Sequence, residues 1–438
     1  MNRLVQGAFW IGVYLFLSLI PLALILIGPT PPGRDFWTEF SVALGFVGLA
    51  MLGIQFGLTA RFRRVAAPYG LDIMLRFHRQ ISLFAFAIVL AHPLILFAAH
   101  PEHLALLDLA DAPWRARMGI LAILGLVFLI AISLWRIPLG IPYEVWRVLH
   151  SALAVAVLAF ALLHAIGVGY YLDLTWKRAL WAGLAAGAIA LLGYVRVFKP
   201  VRMLMRPYEV DEVIEERGDS RTVVLRPVGH EGMRFRPGQF AWLTLWHSPF
   251  SIEEHPFSLS SSAQDPERPA FTIKALGDFT SSIQYLTPGT RAYLDGPYGA
   301  FSVDRYGGDH NVYIGGGVGI TPIMSMLRTL AERGDRRRHL LIYATKEWEG
   351  ATFREELDEL QEKLDLRVVY VLEEPPEEWE GEAGFVDAEL LDRHLPEDRE
   401  RAQYFICGPP PMLDAVDRGL NEQEVPVTNI HMERFNLV

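Results

Sequence analysis

The sequence predicts a membrane-spanning six-helix bundle, then a small antiparallel β-barrel, then an α/β domain with a parallel sheet. Three observations predict it. Six apolar runs of about 20 residues fill the first 200 positions. Short strand-like runs broken by Pro and Gly fill residues 201–303. Strands alternate with helices over residues 304–438. Composition agrees with a mixed chain: 438 residues, 51% hydrophobic, with a mean hydropathy of +0.23. The net charge of −10 is unevenly spread. Residues 1–200 hold 15 Lys and Arg against 8 Asp and Glu, and the remainder holds 25 against 42. An acidic second half without a basic tract argues against nucleic acid. The single cysteine, Cys407, excludes an intramolecular disulfide framework and Cys-based zinc or iron–sulfur sites.

The six runs lie near Val5–Ile27, Phe40–Ala60, Phe77–Ala99, Met118–Trp135, Val145–Val168 and Ala179–Val197. The first resembles a signal peptide in position only. It is too long, lacks a small-residue cleavage site and precedes five more spans. One set of loops and ends carries Arg3, Arg61, Arg63, Arg64, Arg76, Arg79, Arg136, Arg147, Arg196 and Lys199. The other carries Arg34, Arg115, Arg117, Lys177 and Arg178. The cationic side faces the cytoplasm, so both termini are expected there. The spans themselves need lipid as solvent.

Four histidines sit inside spans, where polar groups are costly and count as functional candidates. His78 and His92 are 14 residues apart in the third span, and His150 and His164 are 14 apart in the fifth. At about 100° per residue, that spacing falls some 40° short of four turns, so each pair shares a face. It also separates the two by roughly 21 Å along the axis. The two spans run in the same direction, so His78 lies level with His150 and His92 with His164. Facing imidazoles at two depths are what two b-type haems with both axial positions filled require. A lone histidine in a span is more often a packing residue; two pairs with one spacing are hard to obtain that way. His100 and His103, in a loop at the outer end of span three, fit a surface metal site or, more simply, a solvated loop.

In the second half, Thr222–Arg226, Phe240–Thr244 and Ala270–Lys274 read as strands of the antiparallel barrel. Further on, strands are expected near Asn311–Ile314, Leu340–Ala344, Arg367–Leu372 and Tyr404–Cys407. Helices are expected near Pro322–Arg333, Phe353–Leu364 and Met412–Asn421. Gly315-Gly-Gly-Val-Gly-Ile-Thr-Pro322 joins a strand to a helix. Its glycines allow close backbone approach, and a helix N-terminus favours phosphate. Thr321 is suited to cap that helix and Pro322 to its first turn. The spacing is not G-x-G-x-x-G, and a tight turn without ligand is the alternative. Cys407-Gly-Pro-Pro-Pro-Met412 follows the last parallel strand, at the end of the sheet where such folds bind ligands. The acidic, Pro-broken segment Glu373–Glu380 reads as a mobile, solvated surface loop.

These motifs resemble the ferredoxin–NADP reductase superfamily over nearly the whole second half. His255-Pro256-Phe257-Ser258 is similar to its flavin motif, Gly277-Asp-Phe-Thr280 to its flavin-phosphate segment, and Gly296-Pro-Tyr-Gly299 to the turn between its lobes. Joined to six spans with paired histidines, the module resembles the NADPH oxidase and ferric reductase superfamily. The His-Pro-Phe-Ser wording and the Glu433-Arg-Phe435 ending look most like its bacterial NADPH oxidases. The resemblance implies FAD, two haem b groups held by His78, His92, His150 and His164, and NADPH or NADH.

It also implies residue roles. Phe257 and Ser258 would touch the isoalloxazine, with His255, Lys274 and Thr280 nearer the ribityl chain and phosphates. Gly316, Gly317, Gly319 and Thr321 would cradle the nucleotide phosphates, beside Pro322, Gly408 and Met412. Cys407 would lie near the nicotinamide, and Phe435 would stack on the flavin. Phe257 and Phe435 could instead be core aromatics, Cys407 a small buried hydrophobe and Lys274 a solvated strand residue. Thr345 and Lys346, with Arg354 nearby, are placed for a 2′-phosphate. The arginine expected directly after that strand in an NADPH-selective member is missing, which leaves NADH open.

The resemblance implies a bacterial plasma-membrane oxidase that passes electrons from NAD(P)H through flavin and haems to dioxygen, yielding superoxide. A ferric or cupric chelate, favoured by Asp108, Asp111, His100 and His103 on the outer loop, or a periplasmic protein are alternative acceptors. No obligatory protein partner is evident. With no EF-hand loop and no long tail, constitutive activity is expected.

Overall fold

The computed structural model describes residues 3–62 and 70–434; Arg63, Arg64 and Phe435 lie outside them. Two compact units result, one running to Arg61 and from Ile73 to Phe198, the other from Lys199 onward.

The first unit contains α1 (Arg3–Ile25), α2 (Phe36–Thr59), α3 (Leu71–Ala99), α4 (Trp114–Leu134), α5 (Tyr143–Val168) and α6 (Thr175–Gly193). All six are long and apolar enough to cross a membrane. Large apolar side chains such as Phe9, Phe16, Phe84 and Phe128 are exposed on them. That is the pattern expected when lipid is the solvent. Trp37, Trp114 and Trp176, all exposed, stand within the first two residues of α2, α4 and α6, as interfacial anchors do. The ends are capped locally. Asp35 accepts from Trp37 N and Thr38 N at 3.1 Å. Gly169 closes α5 with φ +70° and a bond from its N–H to Ala165 O. Inside, Phe46, Leu49, Leu158 and Trp181 form the apolar centre where α2, α5 and α6 meet.

The second unit starts with α7 (Lys199–Leu204). An antiparallel sheet follows, with β1 (Tyr208–Glu216), β2 (Ser220–Pro227), β3 (Phe240–Leu245), β4 (His255–Ser258), β5 (Ala270–Lys274) and β6 (Arg291–Tyr298), and a single-turn helix α8 (Asp278–Ser282) after β5. Strand order is β4-β3-β6-β1-β2-β5. The sheet curls until its edges touch. Leu259 bridges Phe271, and Ser260 N donates to Ala270 O at 2.8 Å. The sheet is thus barrel-like rather than the closed barrel expected from the sequence, its edges meeting at one bridge and not in a ladder. Pro256 suits β4 because an edge strand can spare a donor. Lys199 ties α7 to β6 through Asp295 Oδ2 (3.2 Å) and the Tyr298 hydroxyl (2.7 Å).

Next come β7 (His310–Gly316), α9 (Ile320–Glu332), β8 (Arg338–Thr345), α10 (Arg354–Lys363), β9 (Leu366–Leu372), β10 (Glu382–Ala383), α11 (Ala388–His394), β11 (Ala402–Cys407), α12 (Pro410–Glu422) and β12 (Ile430–Glu433). The sheet is parallel, ordered β10-β9-β8-β7-β11-β12. β7 and β11 are buried along their whole length, as central strands covered on both faces are. Strand order reverses between β7 and β11. In sheets of this kind, ligands bind in the crevice at the strands' carboxyl ends beside that reversal.

Candidate functional site

Two places bring the sequence-predicted residues together. The first lies among the spans. The rings of His78 on α3 and His150 on α5 face each other with centroids 6.4 Å apart. Those of His92 and His164 stand 6.3 Å apart. Two imidazole nitrogens each about 2 Å from a shared metal would hold ring centroids at about this separation. Three of the four outward nitrogens are occupied. His92 Nδ1 bonds Ser41 O at 2.9 Å and His164 Nδ1 bonds Arg115 O at 2.8 Å. His150 Nδ1 bonds Ser133 Oγ at 3.1 Å, whose own proton goes to Leu129 O. His78 Nδ1 alone is buried without a partner. Metal-ligating histidines are held in this way, with one nitrogen anchored by an acceptor and the other left for the metal. Among the described residues no group of three or more His, Cys, Asp or Glu could hold a metal ion. The donor set on these helices is therefore two paired imidazoles, and it fits a bis-imidazole haem.

Small residues make room for the rings. A Cβ on Gly45 would meet the His92 ring at 3.4 Å, and one on Gly119 would meet His164 Nδ1 at 2.8 Å. Ser41, Gly45, Gly119 and Ser133 carry the pairs yet were not singled out in the sequence. The legible signal was the Ser41-xxx-Gly45 spacing on α2, which marks close helix packing. His100, by contrast, spends both nitrogens on Asp35 (3.0 Å) and Glu102 (3.3 Å). That is the solvated-loop reading.

The second place is the other unit. His255, Pro256, Phe257 and Ser258 form β4, paired to β3 from His255↔Leu243 to Ser258↔Phe240. His255 stacks on Phe279 at 3.7 Å, which lies nearly parallel to Phe257. The buried Ser258 hydroxyl has no partner. Lys274 ends β5 half-buried. Its ammonium makes no ion pair among the described residues. Thr280 accepts from Leu276 N and Gly277 N and so holds the turn into α8. An orphan hydroxyl, an aromatic wall and an unpaired cation are a donor set that fits a flavin nucleotide. Further along the same chain, Ser261 O accepts from Ser325 Oγ (2.8 Å) and Ser260 O from Arg328 Nη1 (2.5 Å). β4 is thereby fastened to α9, the helix that leaves the glycine loop.

That loop packs against the loop after β11. A Cβ on Gly319 would fall 2.2 Å from Cys407 O, one on Gly316 2.5 Å from Met412 Sδ, and one on Gly408 2.5 Å from Met412 Cε. These glycines serve close approach of chain to chain. Gly317 alone, at φ +53°, has open space beside it. Thr321 does not cap α9. A 3-10 turn at Gly317–Gly319 starts the helix earlier and makes Gly319 the cap. Thr321 is buried in the first turn, its hydroxyl directed at Thr272 O (3.5 Å). Pro322 sits in that first turn as expected. Cys407 is fully buried, and burial, then Glu433, push its thiol well up. Glu433 pairs in register with Cys407; the sequence had marked it only as part of the chain's ending. Thr345 ends β8, and Lys346 follows it, paired with Glu374 at 3.3 Å. Phe435 lies outside the described residues.

Residues 44–161 match the family described as ferric reductase like transmembrane component. Residues 313–418 match the oxidoreductase NAD-binding domain. The chain thus carries a ferric-reductase-like transmembrane component ahead of an oxidoreductase NAD-binding domain. The transmembrane match takes in His78, His92 and His150, and His164 lies just beyond it. The NAD-binding match takes in both loops of the reductase module described above.

Among relatives, the reductase component of propane 2-monooxygenase from Rhodococcus jostii is 32% identical over 50% of this chain and 60% of its own length. NADH-cytochrome b5 reductase 1 from Cryptococcus neoformans is 35% identical over 32% of this chain and 51% of its own. The glycine betaine monooxygenase reductase subunit of Chromohalobacter salexigens is 29% identical over 51% and 62%. The chain spans between half and two thirds of the length of these curated relatives.

Proposed function

We propose that this protein is a transmembrane NAD(P)H oxidase that moves electrons from a cytoplasmic nicotinamide nucleotide to dioxygen on the opposite face, releasing superoxide. The observation that carries the reading is the two facing histidine pairs, 6.4 and 6.3 Å between centroids, on apolar helices. When bound, FAD would accept one hydride, that is two electrons, and release them one at a time, and two b haems would carry electrons singly. His78 with His150 would hold one haem and His92 with His164 the other. Ser41, Arg115 and Ser133 fix the ring orientation. Phe257 and Ser258 would bind the isoalloxazine, and Lys274 would neutralise phosphate. The loops at Gly316–Pro322 and Gly408–Met412 would seat the nucleotide, with Thr345 and Lys346 at its adenosine end. Cys407 would lie near the nicotinamide, and Phe435 would stack on the flavin where the nicotinamide must come. The positive-inside pattern supports cytoplasmic termini in a bacterial plasma membrane.

A ferric chelate is the second acceptor to weigh, because the transmembrane match is to a ferric-reductase-like component. The test is superoxide output from the detergent-purified protein given NADPH or NADH in air, beside His164→Leu. Superoxide that disappears in the variant supports the oxidase. Persistent superoxide would be flavin leakage. Reduced haems without superoxide would overturn the oxidase reading and favour a metal chelate.

A further inference from the structure

The segment Glu373–Glu380 reads from the sequence as a mobile, solvated loop; it is exposed apart from the half-buried Trp379, and its start is pinned against the end of β8. Glu373 N donates to Thr345 O at 3.1 Å and Glu374 N to Lys346 O at 2.7 Å. Trp379 packs on Trp348 at 5.1 Å and donates through Nε1 to Glu382 O. The start of the segment is therefore held beside Thr345 and Lys346, the residues that the sequence marks for a 2′-phosphate, and its Glu374 carboxylate reaches Lys346.

Every cation there is already matched. The Lys346 ammonium pairs with Glu374 at 3.3 Å. Arg354 lies over Trp348 at 4.4 Å and pairs with Glu355. Arg217 pairs with both Glu349 and Glu355. Glu347 and Glu373 have no cationic partner among the described residues. A ribose hydroxyl can donate to a carboxylate at such a site, whereas a 2′-phosphate needs a free cation. An exposed pair such as Lys346–Glu374 adds little to stability. It still offsets the Lys346 charge, which would otherwise attract the phosphate.

We propose that the Glu373–Glu380 segment makes the enzyme selective for NADH over NADPH, with Glu374 as the specificity-determining residue through its pairing with Lys346. The inference rests on reading the β8 end as the adenosine side of a nicotinamide-nucleotide site. It goes beyond that reading in choosing the nucleotide.

The test uses the full-length protein in detergent with ferricyanide as acceptor, so that it is independent of what the outer face reduces. Wild type is expected to show a higher kcat/KM with NADH than with NADPH, and the preference should shrink as salt screens the carboxylates. Glu374→Gln should raise the NADPH to NADH ratio of kcat/KM by about tenfold, mainly through KM for NADPH. Lys346→Met in the Glu374→Gln background should reverse that gain. A wild-type preference for NADPH, or a ratio that Glu374→Gln leaves unmoved, would overturn the proposal. Failure of both nucleotides to support ferricyanide reduction would instead overturn the reading of the module on which it stands.

Discussion

The rings of His92 and His164 face each other at 6.3 Å, and each sends its Nδ1 to a main-chain carbonyl, Ser41 O or Arg115 O. A carbonyl only accepts, so Nδ1 must carry the proton and Nε2 the lone pair. Both rings are thus fixed in the metal-binding tautomer by backbone that no side-chain substitution removes. His164→Leu should halve the haem-to-protein ratio of the purified protein while leaving the reductase module able to reduce ferricyanide. An unchanged ratio would show that this pair holds no haem.

Two glycines next to these rings should behave differently. An alanine Cβ at position 119 would stand 2.8 Å from His164 Nδ1, and one at position 45 would meet His92 at 3.4 Å, an ordinary contact. Gly119→Ala should force the His164 ring off its Arg115 bond, at an overpacking cost of about 1–3 kcal/mol. Gly45→Ala should be tolerated. Redox potentiometry followed by absorbance would check this. The wild type should titrate in two steps, Gly45→Ala likewise, and Gly119→Ala should lose or shift one of them.

The glycine loop divides in the same manner. A Cβ on Gly319 would sit 2.2 Å from Cys407 O, and Cys407 is held in the β7–β11 ladder opposite Gly315. Gly319→Ala should therefore lower the thermal midpoint of the reductase module sharply. Gly317 has open space but φ +53°. There an alanine meets only conformational strain, about 1 kcal/mol. Gly317→Ala should keep the fold and weaken nucleotide binding, seen as a higher KM for NADH at near-wild-type melting temperature. Equal losses of stability in the two variants would contradict this division.

Much of this was legible in the sequence because long-period signals are strong. Six apolar runs and the 14-residue histidine spacing need only helical geometry to be read. The strands at Ala270–Lys274 and Tyr404–Cys407 were visible because buried parallel and barrel strands are rich in apolar residues. What escaped depends on tertiary contact. The start of α9 at Ile320 rather than at a Thr321 cap comes from a 3-10 turn that packs under Cys407. The pinning of the start of Glu373–Glu380 comes from main-chain bonds to Thr345 and Lys346, to which composition is blind. Ser41 and Ser133 are ordinary span residues until α2 and α4 are laid beside the histidines. Glu433 becomes interesting only once β12 pairs with β11.

Cys407 offers a pH test of that last pairing. The thiol is fully buried at the end of β11, and burial followed by the Glu433 carboxylate raises its folded pKa well above the usual thiol range. In the unfolded chain it would ionise near about 8.5. A raised folded value means the contribution is fully present below the unfolded pKa and is lost as pH climbs from there toward the folded pKa. The loss should run at up to about 1.4 kcal/mol per pH unit. Tyr208 and Tyr343, pushed up to about 12 by burial, add the same sign of dependence only above their own unfolded value of about 10. Between about pH 8.5 and 10 the decline should therefore belong to Cys407. Urea denaturation of the full-length protein, followed by tryptophan fluorescence, should show a midpoint that falls across that window in wild type and much less in Cys407→Ala. Glu433→Gln should shift the onset of thiol alkylation in the folded protein to lower pH, because the repelling charge has gone. A wild-type midpoint that stays flat to pH 10, or alkylation as fast as that of a free thiol at pH 8, would show that the thiol is not held neutral between β7 and β12.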